Sequence, residues 1–241
     1  MVYFLTSSGF WRDDDALNPD NGFADALRGE LCGDGKRCSV LLVCSAPEAY
    51  AFTDGMAAEM KADLSALGIE LSGFYTLDRR NAARAEALVR GADLVVLAGG
   101  HVPTQNRFFE EIGLRELLSE FSGVVVGISA GTMNSARLVY ALPELEGEAV
   151  DEAYRRFLPG LGITQRMIIP HFQKTREEVL DGLRVIDDIA CADSVGRRFY
   201  ALTDRSYLLG KEGVETVFGE AYLIADGVVV KVSDDGGSCR L

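Results

Sequence analysis

Short apolar runs alternate along the chain with longer amphipathic segments, and this alternation is its clearest structural signal. The apolar runs predict β-strands at Val2–Leu5, Ser39–Cys44, Leu71–Leu77, Asp93–Leu97, Gly123–Gly127 and Met167–Pro170. The intervening segments predict helices near Glu48–Leu67, Asn81–Arg90, Pro103–Glu120 and Thr175–Ala190. Such alternation indicates an α/β fold with a mainly parallel sheet and helices on both faces.

The last part of the chain is rich in strands rather than helices. Glycine-punctuated runs at Val214–Phe218, Ala221–Ala225 and Val228–Val232 predict C-terminal hairpins at one edge of the sheet. The Asp226-Gly227 pair is a typical hairpin turn. No linker or repeat divides the sequence, and 241 residues of which 48% are hydrophobic can bury a full core. We therefore expect residues 1–241 to form a single domain.

One motif suggests a nucleophilic serine. Gly127-Ile128-Ser129-Ala130-Gly131 follows the apolar run Gly123–Val126 and precedes small, helix-compatible residues. A strand, then G-x-S-x-G, then a helix is the form of a nucleophile elbow, in which a serine hydroxyl projects from a tight turn. Small flanking residues and the N–H groups of the following helix would suit a serine nucleophile and its oxyanion.

A serine nucleophile needs a base, and the chain has two histidines. His171 follows the predicted strand Met167–Pro170, so we place it with Ser129 at the carboxyl-terminal edge of the sheet, where ligands of α/β proteins bind. His101 also follows a strand, Asp93–Leu97, and is the rival base. Position alone does not decide between the two histidines.

The Gly99-Gly100 pair, directly before His101, also lies at a strand end. Two glycines permit unusual backbone angles and leave N–H groups free to point into a site. One interpretation is half of an oxyanion hole, with the Ala130 N–H as the other half. The alternative is a sharp turn before the next helix. No glycine-rich nucleotide-binding motif is present, and we expect neither a cofactor nor a metal ion.

A third group should orient the histidine. Phe199–Leu209 reads as strand, turn, strand, with Asp204 in the turn. The chain order would then be Ser129, His171, Asp204, unlike the serine, acid, histidine order of α/β-hydrolases. Aspartate also favours turns for purely structural reasons, so the turn alone leaves both interpretations open.

These residues together resemble one family. Ser129 in G-I-S-A-G, the Gly99-Gly100 turn, Pro170-His171-Phe172 and Thr175-Arg176-Glu177 occur in an order similar to that of peptidase E, the α-aspartyl dipeptidase family of serine peptidases, to which cyanophycinases are more distantly related. The resemblance runs from about Leu94 to Leu209 and is weaker before that. It implies a flavodoxin-like sandwich related to class I glutamine amidotransferases, and cleavage of dipeptides with an N-terminal aspartate.

The resemblance also implies roles. Ser129 would be the nucleophile, His171 the base, and the amides of Gly100 and Ala130 the oxyanion donors. Arg176 would grip the aspartyl carboxylate of the substrate. Arg176 falls in the first turn of the helix predicted from Thr175, where a cation is disfavoured, and this favours an anion nearby that it binds.

The chain departs from the family in two places. The glutamate of the family triad matches Asp204, which is one methylene shorter. The segments 132–134 and 139–148 also differ from the best-known members. Alternatives are therefore a related hydrolase with another acyl or isopeptide substrate, closer to cyanophycinase, and a non-catalytic binding protein on the same fold. Glutamine amidotransferases are disfavoured because the elbow carries serine rather than cysteine.

Global properties narrow the class of protein. The net charge of −13 argues against nucleic acid and anionic membranes as partners, and at long range it would also repel an acidic peptide. The small peptide substrate that we expect is what the resemblance implies. We interpret the acidic run Asp13-Asp14-Asp15 as a solvated face. Five cysteines without a C-x-x-C pair, and the lack of a signal-like N-terminus, favour a cytoplasmic protein. A homodimer is a further expectation.

Overall fold

The computed structural model describes residues 1–10, 20–32 and 37–241, so the run Asp13-Asp14-Asp15 lies outside the described residues. Five strands form the parallel part of the main sheet: β1 (Val2–Thr6), β2 (Cys38–Val43), β3 (Leu71–Leu77), β4 (Leu94–Leu97) and β5 (Val124–Ile128). β4 pairs with β2 and β5, and β5 also pairs with β1. This parallel sheet confirms the predicted fold class.

Three later strands extend the main sheet beyond β1: β12 (Tyr207–Lys211), β13 (Val214–Phe218) and β16 (Ser238–Arg240). They are antiparallel to their neighbours and complete the order β16-β13-β12-β1-β5-β4-β2-β3. The turn at Glu212-Gly213 joins β12 to β13 and reverses the chain direction, as an antiparallel hairpin requires. Of the predicted C-terminal strands, Val214–Phe218 lies at this edge of the main sheet, whereas the hairpin of Ala221–Ala225 and Val228–Ser233 belongs to a second sheet.

A second sheet holds four strands in the order β15-β14-β11-β8. They are β8 (Met167–Ile169), β11 (Arg198–Leu202), β14 (Ala221–Ala225) and β15 (Val228–Ser233). The prediction that the strand before His171 lies in the same sheet as the strand before Ser129 is therefore wrong. β8 pairs only with β11 in this sheet, among the described residues, and brings His171 to Ser129 from a separate layer.

Helices cover both faces of the parallel strands. Even-numbered residues of the buried strands, such as Val40 and Val96, pack with α1 (Phe23–Leu31) and α2 (Tyr50–Ala66). Odd-numbered ones, such as Leu41 and Val95, pack with α3 (Ala85–Arg90), α4 (Val102–Glu111) and α5 (Leu114–Ser119). Alternate side chains of a strand point to opposite faces, so a strand covered on both sides reads as one continuous apolar run.

Two predicted helices are interrupted. Gly113, with φ 63°, separates α4 from α5 within the helix predicted at Pro103–Glu120. The helix predicted at Thr175–Ala190 is wrong: the chain forms the short α7 (Phe172–Thr175), then a hairpin of β9 (Val179–Leu180) and β10 (Leu183–Arg184), then a π-helix (Val185–Ala190). Asp181 and Gly182 turn the hairpin with φ values of 54° and 83°, which a helix does not permit.

The remaining elements are short. α6 (Ala130–Asn134) follows β5 directly, β6 (Leu138–Tyr140) pairs with β7 (Phe157–Pro159), and α8 (Cys191–Asp193) follows the π-helix. A second apolar core joins α6 to the inner face of the second sheet through residues such as Met133, Ile169 and Phe199. This core fixes the position of the second sheet relative to the end of β5.

Candidate active site

Ser129 occupies the turn between β5 and α6 with φ 48° and ψ −108°, a backbone conformation that is strained for any residue except glycine. Both glycines of the motif are required by close packing. An added Cβ would lie 2.2 Å from the Leu97 carbonyl oxygen at Gly131, and 2.9 Å from the Thr132 nitrogen at Gly127. The segment therefore has the geometry of a nucleophile elbow.

The Gly99-Gly100 turn lies beside the elbow, since an added Cβ on Gly99 would come within 3.5 Å of the Ser129 Cβ. Gly100 has φ 152°, and a Cβ there would lie 2.4 Å from Ser45 Oγ. Across residues 1–10, 20–32 and 37–241, neither the Gly100 nor the Ala130 amide donates a hydrogen bond to the protein. Both amides can serve an anion beside Ser129.

The structure brings the three predicted triad residues into one chain of contacts. Ser129 Oγ lies 3.0 Å from His171 Nε2, and His171 Nδ1 lies 2.5 Å from Asp204 Oδ1. The Asp204 carboxylate can only accept, so the Nδ1–H of His171 donates to it. Nε2 is then left with its lone pair toward the Ser129 hydroxyl, as a general base requires.

His171 and Asp204 reach each other from different elements. His171 follows β8 with φ 54° and ψ 34°, a left-handed conformation that turns its side chain away from the strand direction. Asp204 lies in the turn between β11 and β12, where the chain passes from the second sheet to the main sheet. This crossing allows an aspartate to reach the histidine although its side chain is short.

Sequence reasoning missed three residues that hold Asp204. Ser7 Oγ donates to Asp204 Oδ1 at 3.0 Å and accepts from the His171 backbone N–H at 2.7 Å. Gln173 Nε2 donates to Asp204 Oδ2, and the Asp204 N–H donates back to Gln173 Oε1 at 3.0 Å. Lys174 Nζ lies 3.3 Å from Asp204 Oδ2. The sequence does point to Ser7, because this residue follows β1 at the same edge of the sheet as Ser129.

These contacts keep Asp204 ionised. Burial by itself would raise the pKa of Asp204, but the hydrogen bond and charge of His171, the hydroxyl of Ser7 and the ammonium of Lys174 hold it well below its usual range. The side chain of Asp204 is only 9% exposed, so these interactions are weakly screened. A permanent carboxylate beside Nδ1 fixes the tautomer of His171.

The rival histidine has a different environment. His101 Nε2 lies 2.9 Å from Glu148 Oε1, and His101 Nδ1 lies 2.8 Å from Thr104 Oγ1. Both ring nitrogens are therefore engaged away from Ser129. Glu148 Oε2 also accepts the backbone N–H groups of Glu144 and Leu145, at 2.9 and 3.0 Å. His101 thus ties the glycine turn to the loop after β6.

A cavity of about 380 Å³ opens beside the triad and is lined by Ser129 and His171. Lys174, Glu144 and Glu178 contribute its charged groups. Glu144 is exposed to solvent at this cavity. Desolvation by the protein around it, together with the charges of Glu148 and Glu178, raises its pKa.

Arg176 lies outside this cavity lining and is exposed. It follows the last residue of α7, so the expectation that it sits in the first turn of a long helix is wrong. A cation at the C-terminal end of a helix is electrostatically favoured, and its position therefore does not itself indicate a bound anion. The cation that lines the cavity is Lys174, two residues earlier.

Across residues 1–10, 20–32 and 37–241, no group of three or more histidine, cysteine, aspartate or glutamate side chains is arranged to hold a metal ion. Within the same ranges, no helix has the length and apolar character needed to span a membrane.

Comparisons with known proteins identify the family and the fold. Residues 4–191 match the model of peptidase family S51. Two solved structures are similar in fold: a peptidase from an acI-B1 Actinobacterium, with a TM-score of 0.67, 19% identity and coverage of 100% of this chain and 96% of that one, and a putative peptidase E protein from Listeria monocytogenes EGD-e, with a TM-score of 0.56, 15% identity and coverage of 100% and 98%. The comparison with curated proteins returns no match. The chain therefore belongs to peptidase family S51, which supports a serine peptidase.

Proposed function

We propose that the protein is a serine-type dipeptidase that hydrolyses peptides with an N-terminal aspartate. Ser129 is the nucleophile, His171 the general base, and Asp204 the acid that orients the histidine. The amides of Gly100 and Ala130 form the oxyanion hole. The observation that carries the proposal is the contact chain from Ser129 through His171 to Asp204, with distances of 3.0 and 2.5 Å.

The reaction proceeds in two halves. His171 Nε2 takes the proton of the Ser129 hydroxyl while Oγ attacks the scissile carbonyl carbon, and the negative charge on the carbonyl oxygen is held by the two amides. His171 then gives the proton to the leaving amine, and an acyl-enzyme ester remains on Ser129. Water repeats the cycle on this ester, with His171 again as base, and releases the acid product.

Preorganisation supports this mechanism. The strained backbone of Ser129 and the glycines around it expose the hydroxyl beside two free amides. The fixed carboxylate of Asp204 stabilises the imidazolium that forms when His171 accepts a proton. Donors that are already in place stabilise the charge of a transition state most strongly, because they need no reorganisation.

Specificity for aspartate needs a cation near the scissile bond. The family resemblance assigns this role to Arg176, whereas Lys174 is the cation that lines the cavity. Arg176→Ala and Lys174→Met separate the two assignments when kcat/KM is measured for Asp-Leu and Asn-Leu in each variant. The residue that binds the aspartyl carboxylate is the one whose replacement lowers the ratio of kcat/KM for Asp-Leu to kcat/KM for Asn-Leu by about tenfold or more.

Two measurements test the proposal. Ser129→Ala should abolish turnover without loss of the fold, because the elbow accommodates a smaller side chain. A panel of X-Leu dipeptides with Asp, Glu, Asn and Ala at the first position should show the highest kcat/KM for Asp-Leu. Turnover of Ser129→Ala within about tenfold of the wild type would exclude the mechanism. Equal rates across the panel would favour a related hydrolase with another substrate.

Location and assembly belong to the same proposal. We take the protein to act in the cytoplasm on small peptides, alone or as a homodimer, without nucleic acid or membrane partners. The five free cysteines fit a reducing compartment. Cell fractionation tests the location, and light scattering of the purified protein tests the oligomeric state.

A further inference from the structure

Three side-chain amides form a hydrogen-bonded row beside the candidate oxyanion hole. Asn106 Nδ2 donates to Asn134 Oδ1 at 2.9 Å, and Asn134 Nδ2 donates to Gln105 Oε1 at 3.0 Å. Gln105 Nε2 then donates to the backbone carbonyl of Ala98 at 2.7 Å. This amide row therefore runs from Asn106, which is half-buried, to the residue directly before the Gly99-Gly100 turn.

Backbone carbonyls fix the direction of the amide row. Asn106 Nδ2 also donates to Pro159 O at 2.9 Å, and Asn134 Nδ2 also donates to Val102 O at 3.2 Å. A carbonyl oxygen only accepts, so the NH₂ group of each amide must face its carbonyl, and the amide oxygen is left to accept. A flip of any of the three amides would break at least two hydrogen bonds.

The two inner members of the amide row are completely buried. Gln105 lies on α4 and Asn134 ends α6, and both side chains have 0% exposure. Burial of a polar side chain costs free energy unless its hydrogen bonds are satisfied, so apolar residues would be the simpler occupants of these positions. A buried polar network whose members are all satisfied makes its surroundings rigid.

The amide row connects the two halves of the candidate oxyanion hole. The Gly100 amide lies in the turn before α4, and the Ala130 amide opens α6, one helical turn before Asn134. Gln105 and Asn134 therefore join the helices that follow the two donors. Two consecutive glycines impose little restriction on their own backbone angles, so the turn depends on its neighbours for its conformation. The hydrogen bond from Gln105 to the preceding carbonyl orients the first peptide group of that turn.

We propose that Gln105 and Asn134 are positioning residues that set the spacing between the Gly100 and Ala130 amides. The inference rests on the proposed function and deepens it, because both donors must lie about 2.7–3.1 Å from the oxyanion to stabilise it together. Since the two side chains are fully buried, they act through the donors and do not touch the substrate. A displacement of about 1 Å at such a site costs up to about 10²-fold in rate.

The test is Gln105→Met, which keeps a side chain of similar shape and removes the amide. For Asp-Leu, kcat should fall by about tenfold or more and KM should change little, because the oxyanion forms only in the transition state. The rates are normalised to the concentration of sites that a fluorophosphonate labels, so an unfolded fraction does not contribute. A kcat within about twofold of the wild type, or a loss confined to KM, overturns the inference.

A second variant decides the question if Gln105→Met does not fold. Asn106→Leu removes only the half-buried end of the amide row, and kcat should fall by about threefold with KM unchanged; an unchanged kcat would then overturn the inference. The matched controls are Asn81→Leu, at a half-buried asparagine that donates to Thr76 O at 2.7 Å, and Gln165→Met, at an exposed glutamine. Neither control should change kcat, because β3, which precedes Asn81, lies three strands from β5.

The rate of fluorophosphonate labelling separates this inference from the proposed function. The phosphonyl oxygen occupies the oxyanion hole whichever peptide the enzyme cleaves, so the labelling rate of Gln105→Met should also fall by about tenfold. The same fall in a protein that does not hydrolyse Asp-Leu would refute the proposed substrate and support the positioning role. Hydrolysis of Asp-Leu with equal labelling rates for Gln105→Met and the wild type would do the reverse. A wild type that is not labelled at all would contradict both.

Discussion

Replacement of Asp204 by asparagine preserves the shape of the side chain and removes its charge. Asp204 Oδ1 accepts from His171 Nδ1 and Ser7 Oγ, and Oδ2 accepts from Gln173 Nε2 and lies near Lys174 Nζ. All four partners are donors. An asparagine amide must therefore direct its own NH₂ group either at Gln173 and Lys174 or at His171.

Either orientation of the new amide impairs the site. If the NH₂ group faces Gln173 and Lys174, donors oppose donors and the side chain is displaced. If it faces His171, the imidazole must keep its proton on Nε2, and Ser129 loses its base. We therefore expect kcat to fall by about 10⁴-fold in Asp204→Asn, which is about 5.4 kcal/mol at about 1.36 kcal/mol for each factor of ten.

The assay is steady-state hydrolysis of Asp-Leu by Asp204→Asn, with the exposed Asp235→Asn as the charge-matched control. The loss should appear in kcat, with KM little changed, because Asp204 acts through His171 rather than on the substrate. A kcat within tenfold of the wild type would refute this reasoning and would show that another group orients His171.

Two further predictions concern neighbouring groups. His171→Ala should lower kcat by about 10³-fold or more, and His101→Ala far less; rates measured side by side would contradict this if the ranking were reversed. Gly100→Ala should lower kcat by about 10²-fold, because the new Cβ would lie 2.4 Å from Ser45 Oγ and displace the Gly99-Gly100 turn. If this clash is the cause, kcat should recover in part in the double variant Gly100→Ala with Ser45→Gly.

Much of the fold could be predicted from the sequence, because a strand that is buried on both faces consists of apolar residues throughout. Strands such as β4, whose four residues are all buried, appear as uninterrupted apolar runs between polar segments. The helix predicted at Thr175–Ala190 is wrong although the apolar spacing of that segment suits a helix. Asp181 and Gly182, with positive φ, adopt a hairpin turn instead, and turn chemistry overrides periodicity there.

The candidate site was accessible only in part. Ser129 and His171 follow recognisable strands, and the sequence places them at strand ends. It does not reveal that β8 and β5 lie in different sheets, since that depends on long-range pairing of β8 with β11. The exclusion of Arg176 from the cavity depends on tertiary contacts, which leave no local signal. The position of Ser7 directly after a strand is visible in the sequence, but its hydrogen bond to Asp204 is not.

Covalent labelling with a fluorophosphonate tests the central claim most directly. Mass spectrometry of the digested adduct should find one phosphonate on the Ser129 peptide in the wild type. The label should be absent in Ser129→Ala and slowed by about 10³-fold or more in His171→Ala, because the hydroxyl is activated only when His171 accepts its proton. A label on another residue, or equal labelling of Ser129→Ala and wild type, would contradict the assignment of Ser129 as the nucleophile.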